Sequence, residues 1–160
     1  MAILKIRCFP DPILKKKTQR VSRVTAAERA DLCDMAETMY LSQGIGLAAN
    51  QVGIDKQLVV VDVGDGLMKL VNPILGKCRG RERMEEGCLS VPGALVKIGR
   101  FRTVAVACLN EEGEPVTFEA SGLLARAIQH ETDHLLGKTI LDHLNPIRRM
   151  LVKKRLTKKR

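Results

Sequence analysis

Two histidines four residues apart, His130 and His134 in His130-Glu131-Thr132-Asp133-His134, are the residues of this chain best spaced to do chemistry. On a helix they stand one turn apart on one face, where both imidazoles reach a single ion. Glu131 is rotated about 100° from His130. It therefore sits beside such an ion and can take a proton from water activated there. The pattern predicts metal-dependent hydrolysis of a small amide. The bland alternative, two surface histidines flanking a glutamate, has to explain why two of only three histidines fall at ligand spacing on an apolar helix.

A catalytic metal needs a third protein ligand and an open position. Position 140 is Ile140, where one protease layout needs histidine, and Glu131 is the last glutamate of the chain. Downstream there remain Asp142 and His143, both close after the expected helix end. Upstream, Cys88 stands in Glu86-Gly87-Cys88-Leu89-Ser90, beside a glycine that lets backbone approach, and is the strongest candidate. One thiolate and two imidazoles suit Fe(II), Zn(II), Ni(II) or Co(II).

Elements must bring these residues together. Thr25-Ala26-Ala27-Glu28 has capping-box spacing, so a helix should begin there, with Leu32, Met35, Ala36 and Met39 on its apolar face and its end before Gly44. Gly44 to Gln51 is rich in small residues and is expected as a loop built for close approach. Strands are expected at Leu58 to Val63, at Leu67 to Val71 with Asn72-Pro73 closing it, and at Thr103 to Leu109. A turn at Asn110 to Glu114 should lead into a strand from Pro115 to Glu119. Arg79 to Glu86 is polar and is expected to be irregular or a short strand. Ser121 should cap the motif helix and Gly137 should end it. Strands grouped together with helices before and after them indicate an α+β fold.

Composition bounds the rest. The 160 residues are of single-domain size, and the core must be aliphatic, with no Trp, one Tyr and three Phe. No run of ~18 apolar residues could cross a membrane, and the start lacks signal-peptide features, so a cytoplasmic location is expected. The five cysteines are scattered and odd in number, against a disulfide framework. Cys8, Cys33, Cys78 and Cys108 are expected as small buried residues. Of 27 basic residues, eight lie in residues 147–160, which contain no acidic one; the other 19 face 18 acidic residues. The basic character thus belongs to a tail, and the expected division is a catalytic domain at 1–146 and a basic, helix-capable tail at 147–160.

Three segments taken together resemble the motifs of the peptide deformylase family. They are Gly44-Ile45-Gly46-Leu47-Ala48-Ala49-Asn50-Gln51, Glu86-Gly87-Cys88-Leu89-Ser90 and Gln129-His130-Glu131-Thr132-Asp133-His134-Leu135. The resemblance implies an α+β fold with antiparallel sheets packed around a central helix carrying the His-Glu-x-x-His motif. It implies removal of the formyl group from the N-terminal formylmethionine of new polypeptides. Cys88, His130 and His134 would hold one divalent metal, natively Fe(II), with Zn(II), Ni(II) or Co(II) as substitutes. Glu131 would move the proton, and Gln51 and the Leu89 backbone N–H would stabilise the oxyanion. The peptide would lie along Gly44, Ile45 and Gly46, with Ile45, Met84, Leu123 and Ala127 as candidates for the methionine pocket. Arg126 stands where some relatives have an aliphatic residue and others arginine, and Leu95 stands where some have an arginine that contacts the peptide. The partners expected are formylmethionyl nascent peptides and, through the tail, the ribosome; a monomer is expected. A peptidase of another class and an RNA-binding module on a dead enzyme scaffold are the competing readings.

Overall fold

A computed structural model describes residues 2–158. The first helix, α1 (Ala26–Leu41), opens on the expected capping box: the Thr25 hydroxyl accepts from the Ala27 N–H at 3.2 Å, and the Thr25 N–H donates to Glu28 at 2.9 Å. Two of the four orphan donors of the first turn are thereby addressed. Leu32, Met35 and Met39 are fully buried along one face.

Five strands follow: β1 (Gly46–Ala48), β2 (Leu58–Val61), β3 (Met68–Glu86), β4 (Val96–Leu109) and β5 (Pro115–Ser121). They form one antiparallel sheet in sequence order. All four residues of β2 are buried, because both faces of the strand are covered. Leu58 and Val60 join the cluster on the α1 side, whereas Val59 and Val61 join the cluster around the motif helix.

The sheet departs from the expected strands in several places, and β4 begins at Val96 where the strand was expected from Thr103. Asn72-Pro73 does not close a strand; β3 continues through it with register shifts between Val71 and Ile74 and between Leu75 and Cys78. Asn72 takes a left-handed backbone (φ 53°), and its buried amide replaces strand pairing, donating to the Val21 carbonyl and accepting from the Val21 N–H, both at 2.8 Å. Arg79 to Glu86 is therefore regular strand, paired in unbroken register with Val96 to Thr103. Its polarity reflects exposure, since Arg79 to Glu85 are all exposed and only Glu86 is buried. The bulges bend the strand, so one sheet supplies the antiparallel layers on several sides of the motif helix.

That helix, α2 (Gly122–Leu135), touches all five strands. Ser121 occupies the cap position, but its side chain makes no cap hydrogen bond. Beyond the helix end, Gly137 is left-handed (φ 74°), and a Cβ there would collide with the Lys15 carbonyl. Gly44 to Gln51 is more ordered than a loop, since it contains β1 and a 3-10 turn over Ala49–Val52.

The cysteine expectation holds only for Cys108, which is buried; Cys8, Cys33 and Cys78 are partly exposed. Among the described residues no helix is long and apolar enough to cross a membrane. The tail forms α3 (Pro146–Lys158), while Lys159 and Arg160 of the expected tail lie outside the described residues.

Candidate metal centre and active-site cavity

Cys88, His130 and His134 converge, their ligand atoms all within 4.8 Å of one another. The His134 Nε2 lies 3.2 Å from the Cys88 Sγ and 3.2 Å from the His130 Nε2. α2 supplies both imidazoles from one face. Cys88 follows directly after β3, where Gly87 ends the strand. Of the alternatives for the third position, Asp142 caps the 3-10 turn over Ile140–His143 and pairs with Lys15, and His143 bonds to Asp133 at 2.8 Å. Neither belongs to the cluster.

The donor set fits a divalent cation. Nδ1 of His130 lies 3.0 Å from the buried carboxylate of Glu86 and must carry its proton toward it. With that proton held on Nδ1, a cation bound at the centre would take the place of the proton on Nε2, the arrangement that orients a ligating histidine. His134 is fully buried, and that burial, reinforced by His130, holds its pKa well below the ordinary value, so the ring is neutral and able to ligate. Burial would also lower the pKa of His130, but the Cys88 sulfur, Glu131 and Glu86 outweigh it and raise it well above normal. The centre thus draws positive charge to itself.

Glu86 is the residue that sequence reasoning missed. Burial opposes its charge, yet His130 and Arg100 together hold its pKa down at about 2. Arg100 grips it with two hydrogen bonds of 3.0 Å, and Arg126 adds one of 2.7 Å. Arg100 also reaches Asp133 at 2.6 Å. A carboxylate two residues before Cys88 and a second inside the histidine motif were the available signals.

Glu131 stands beside the three ligand atoms. It is buried, and its Oε2 has no hydrogen-bond partner among the described residues. Burial pushes its pKa up to about 7, against the pull of His130 and Arg100. Gly46 makes room for it: a Cβ on that glycine would lie 2.5 Å from the Glu131 Oε1. Gln51 is oriented by its own chain. Its Oε1 accepts from the Ala48 N–H at 2.8 Å, which fixes the flip and turns the amide nitrogen toward the Ser90 hydroxyl (3.2 Å) and the Cys88 sulfur (3.8 Å).

A cavity of about 430 Å³ opens onto this cluster. Gly44, Ile45, Gly46, Gln51, Cys88, Leu89, Leu123, Ala127, His130 and Glu131 line it, so most residues singled out in the sequence meet there. His134 is completely buried. Met84 does not line the cavity; it pairs with Ile98 two residues back along β3, beyond the rim formed by Glu85 and Glu86. Arg126 does line it, and Leu95, near Gly87, is highly exposed.

The family model for polypeptide deformylase matches residues 3–150. The chain is 46% identical over 161 residues to a peptide deformylase from Pseudoalteromonas translucida, covering 99% of this chain and 96% of that one. It is 42% identical to one from Thermodesulfovibrio yellowstonii, covering 100% of both chains. Among solved structures, a peptide deformylase from Ehrlichia chaffeensis in complex with actinonin superposes with a TM-score of 0.96 at 36% identity, covering 99% of this chain and 98% of that one. One from Legionella pneumophila gives 0.92 at 39% identity, covering 98% and 95%. The chain belongs to the polypeptide deformylase family, metal-dependent enzymes that remove the N-formyl group from nascent peptides.

Proposed function

We propose that Cys88, His130 and His134 hold one divalent metal, natively Fe(II), and that the enzyme uses it to deformylate N-terminal formylmethionine. The convergence of three ligand atoms beside a buried carboxylate whose Oε2 has no hydrogen-bond partner among the described residues carries this reading. A divalent ion bound there supplies Lewis acidity, polarising the formyl oxygen and bringing the pKa of water down to about 7. A mixed thiolate and imidazole set also accepts Zn(II), Ni(II) or Co(II).

The chain's own residues do the rest. Glu131 accepts the proton of the attacking water as oxygen bonds to the formyl carbon. It returns that proton to the amine as the C–N bond breaks, leaving formate and a free N-terminus. Burial, which raises its pKa, makes Glu131 a stronger base than an exposed carboxylate, as both transfers require. The Gln51 amide and the Leu89 N–H donate to the developing oxyanion, and Gln51 is held in advance by Ala48.

β1 lies at one end of the sheet, with β2 on one side only. A peptide adding as a further strand along Gly44 to Gly46 would be led to the centre. Ile45, Leu123 and Ala127 then offer apolar surface for the methionine side chain. Met84 is less suited, since it lies outside the cavity. Formate release from a formyl-Met peptide, absent with the unformylated peptide, tests the reading and excludes a general peptidase.

The division into a catalytic body and a basic tail at 147–160 supports a second role. α3 carries no acidic residue. Val152 and Leu156 pack against the body, whereas Ile147, Met150 and Leu151 are exposed among basic residues. This face would attach a cytoplasmic, monomeric enzyme to the ribosome near the nascent chain.

A further inference from the structure

Arg126 is a buried cation in the wall of the cavity, one helical turn before His130 on α2. Three hydrogen bonds tie its guanidinium to the ribbon opposite. Its Nη1 donates to the Glu86 Oε1 at 2.7 Å and to the Ile98 carbonyl at 3.2 Å, and its Nη2 donates to the Glu82 carbonyl at 2.9 Å. These contacts join α2 to both β3 and β4. They also divide the labour at Glu86, where Oε1 takes Arg126 while Oε2 faces the His130 Nδ1 at 3.0 Å.

The rest of α2 gives reason for such a tie. The Ser121 side chain makes no cap bond, so the start of the helix lacks the usual side-chain anchor. Cys88 hangs from the end of β3, and the two histidines hang from α2. Their spacing therefore depends on how firmly helix and ribbon are held together. Arg100 also grips Glu86, but it belongs to β4 and reaches α2 only through Asp133. Arg126 is the guanidinium on the helix itself.

Resting on the proposed metal centre, we propose that Arg126 is a positioning residue. It acts through Glu86 to aim His130, and through the Glu82 and Ile98 carbonyls to fix the distance between the histidine pair and Cys88. It touches neither metal nor reacting atoms. Lysine cannot replace it, because one ammonium cannot serve a carboxylate and two carbonyls on separate strands in the same planar geometry.

The test uses the full chain loaded with Co(II), whose absorption reports ligand geometry. Groups that orient ligands typically change metal affinity 10–100-fold when removed. Arg126→Leu and Arg126→Lys should each release Co(II) to a chelator on the order of 10-fold faster or more, with an altered Co(II) spectrum. In a Glu86→Gln background, Arg126→Leu should add much less than it does alone, since part of its action passes through Glu86. Circular dichroism identifies folded variants, and Arg126→Lys keeps the test open if the leucine variant fails to fold. Wild-type release rates and an unchanged spectrum in a folded variant would overturn the proposal. So would full additivity with Glu86→Gln. Failure of the wild type to bind Co(II) at Cys88, His130 and His134 would instead overturn the metal centre itself.

Discussion

Removing the Glu131 carboxylate separates two roles that lie within one helical turn. Glu131→Ala should keep the metal and lose turnover by about 10²–10⁴-fold, the usual cost of losing a general acid–base. Metal analysis beside a formate assay reads both; metal loss or near-normal activity would contradict the assignment. Cys88→Ser should lose metal on dialysis, because a hydroxyl is a poor substitute for a thiolate at neutral pH. Cys33→Ser, at a partly exposed cysteine outside the cluster, should retain it. Gly46→Ala reaches the same chemistry from the opposite side. Its Cβ would lie 2.5 Å from the Glu131 Oε1 and 3.0 Å from Cγ, so the whole carboxylate must shift. Turnover should fall more than 10-fold with metal content unchanged, on the order expected when a catalytic group is displaced by about 1 Å. At this scale the sequence was legible wherever chemistry demands a residue type at a fixed local spacing: the histidine pair, Glu131 and the cysteine beside a glycine. Glu86 was hidden because its role depends on burial between two arginines that are distant in sequence.

Elements were legible where a local signal encodes them. The box at Thr25 and Glu28 located the start of α1, and Gly137 marked the end of α2. β3 was not legible, because Asn72-Pro73 and the polar run after it both read as strand-ending. Only the distant Val21 backbone, which satisfies Asn72, and the long partner strand make it continuous. The cap of α1 carries a pH prediction. The Lys56 ammonium, followed by the Thr25 hydroxyl and N–H, lowers the Glu28 pKa from 4.5 to about 2. A pKa depressed on folding adds stability that is fully present above the unfolded value and is lost as pH falls through the folded one. Glu28→Gln should therefore destabilise the protein at pH 6, and the gap from wild type should close between pH 4.5 and about 2. Urea unfolding at pH 6 and pH 3 measures this; a gap that stays constant would show that Glu28 is not the titrating contributor.

At the scale of the whole molecule, body and tail divide the charge between them. α3 docks on the body by Val152 and Leu156, by Lys153 over the Phe9 ring at 5.7 Å, and by Arg149, which donates to the Leu141 and Asp142 carbonyls. None of these residues lines the cavity. Deleting residues 147–160 should leave turnover on a short formyl-Met peptide nearly unchanged. It should abolish salt-sensitive co-sedimentation with ribosomes, since eight cations facing phosphates bind by counterion release. Equal co-sedimentation of full-length and truncated protein at low salt would reassign the charge to solubility. The sequence showed the tail's charge and its capacity for a helix, but not which of its apolar residues dock, because that depends on the surface beneath. The central claim is that Cys88, His130 and His134 hold the metal that Glu131 serves in deformylation. Its most direct test is formate release from a formyl-Met peptide by protein purified anaerobically with Fe(II). Stoichiometric metal, with steady formate release that disappears when the metal is chelated and returns when it is restored, is the predicted result; formate release that is unaffected by chelation, or none from fully loaded protein, would contradict it.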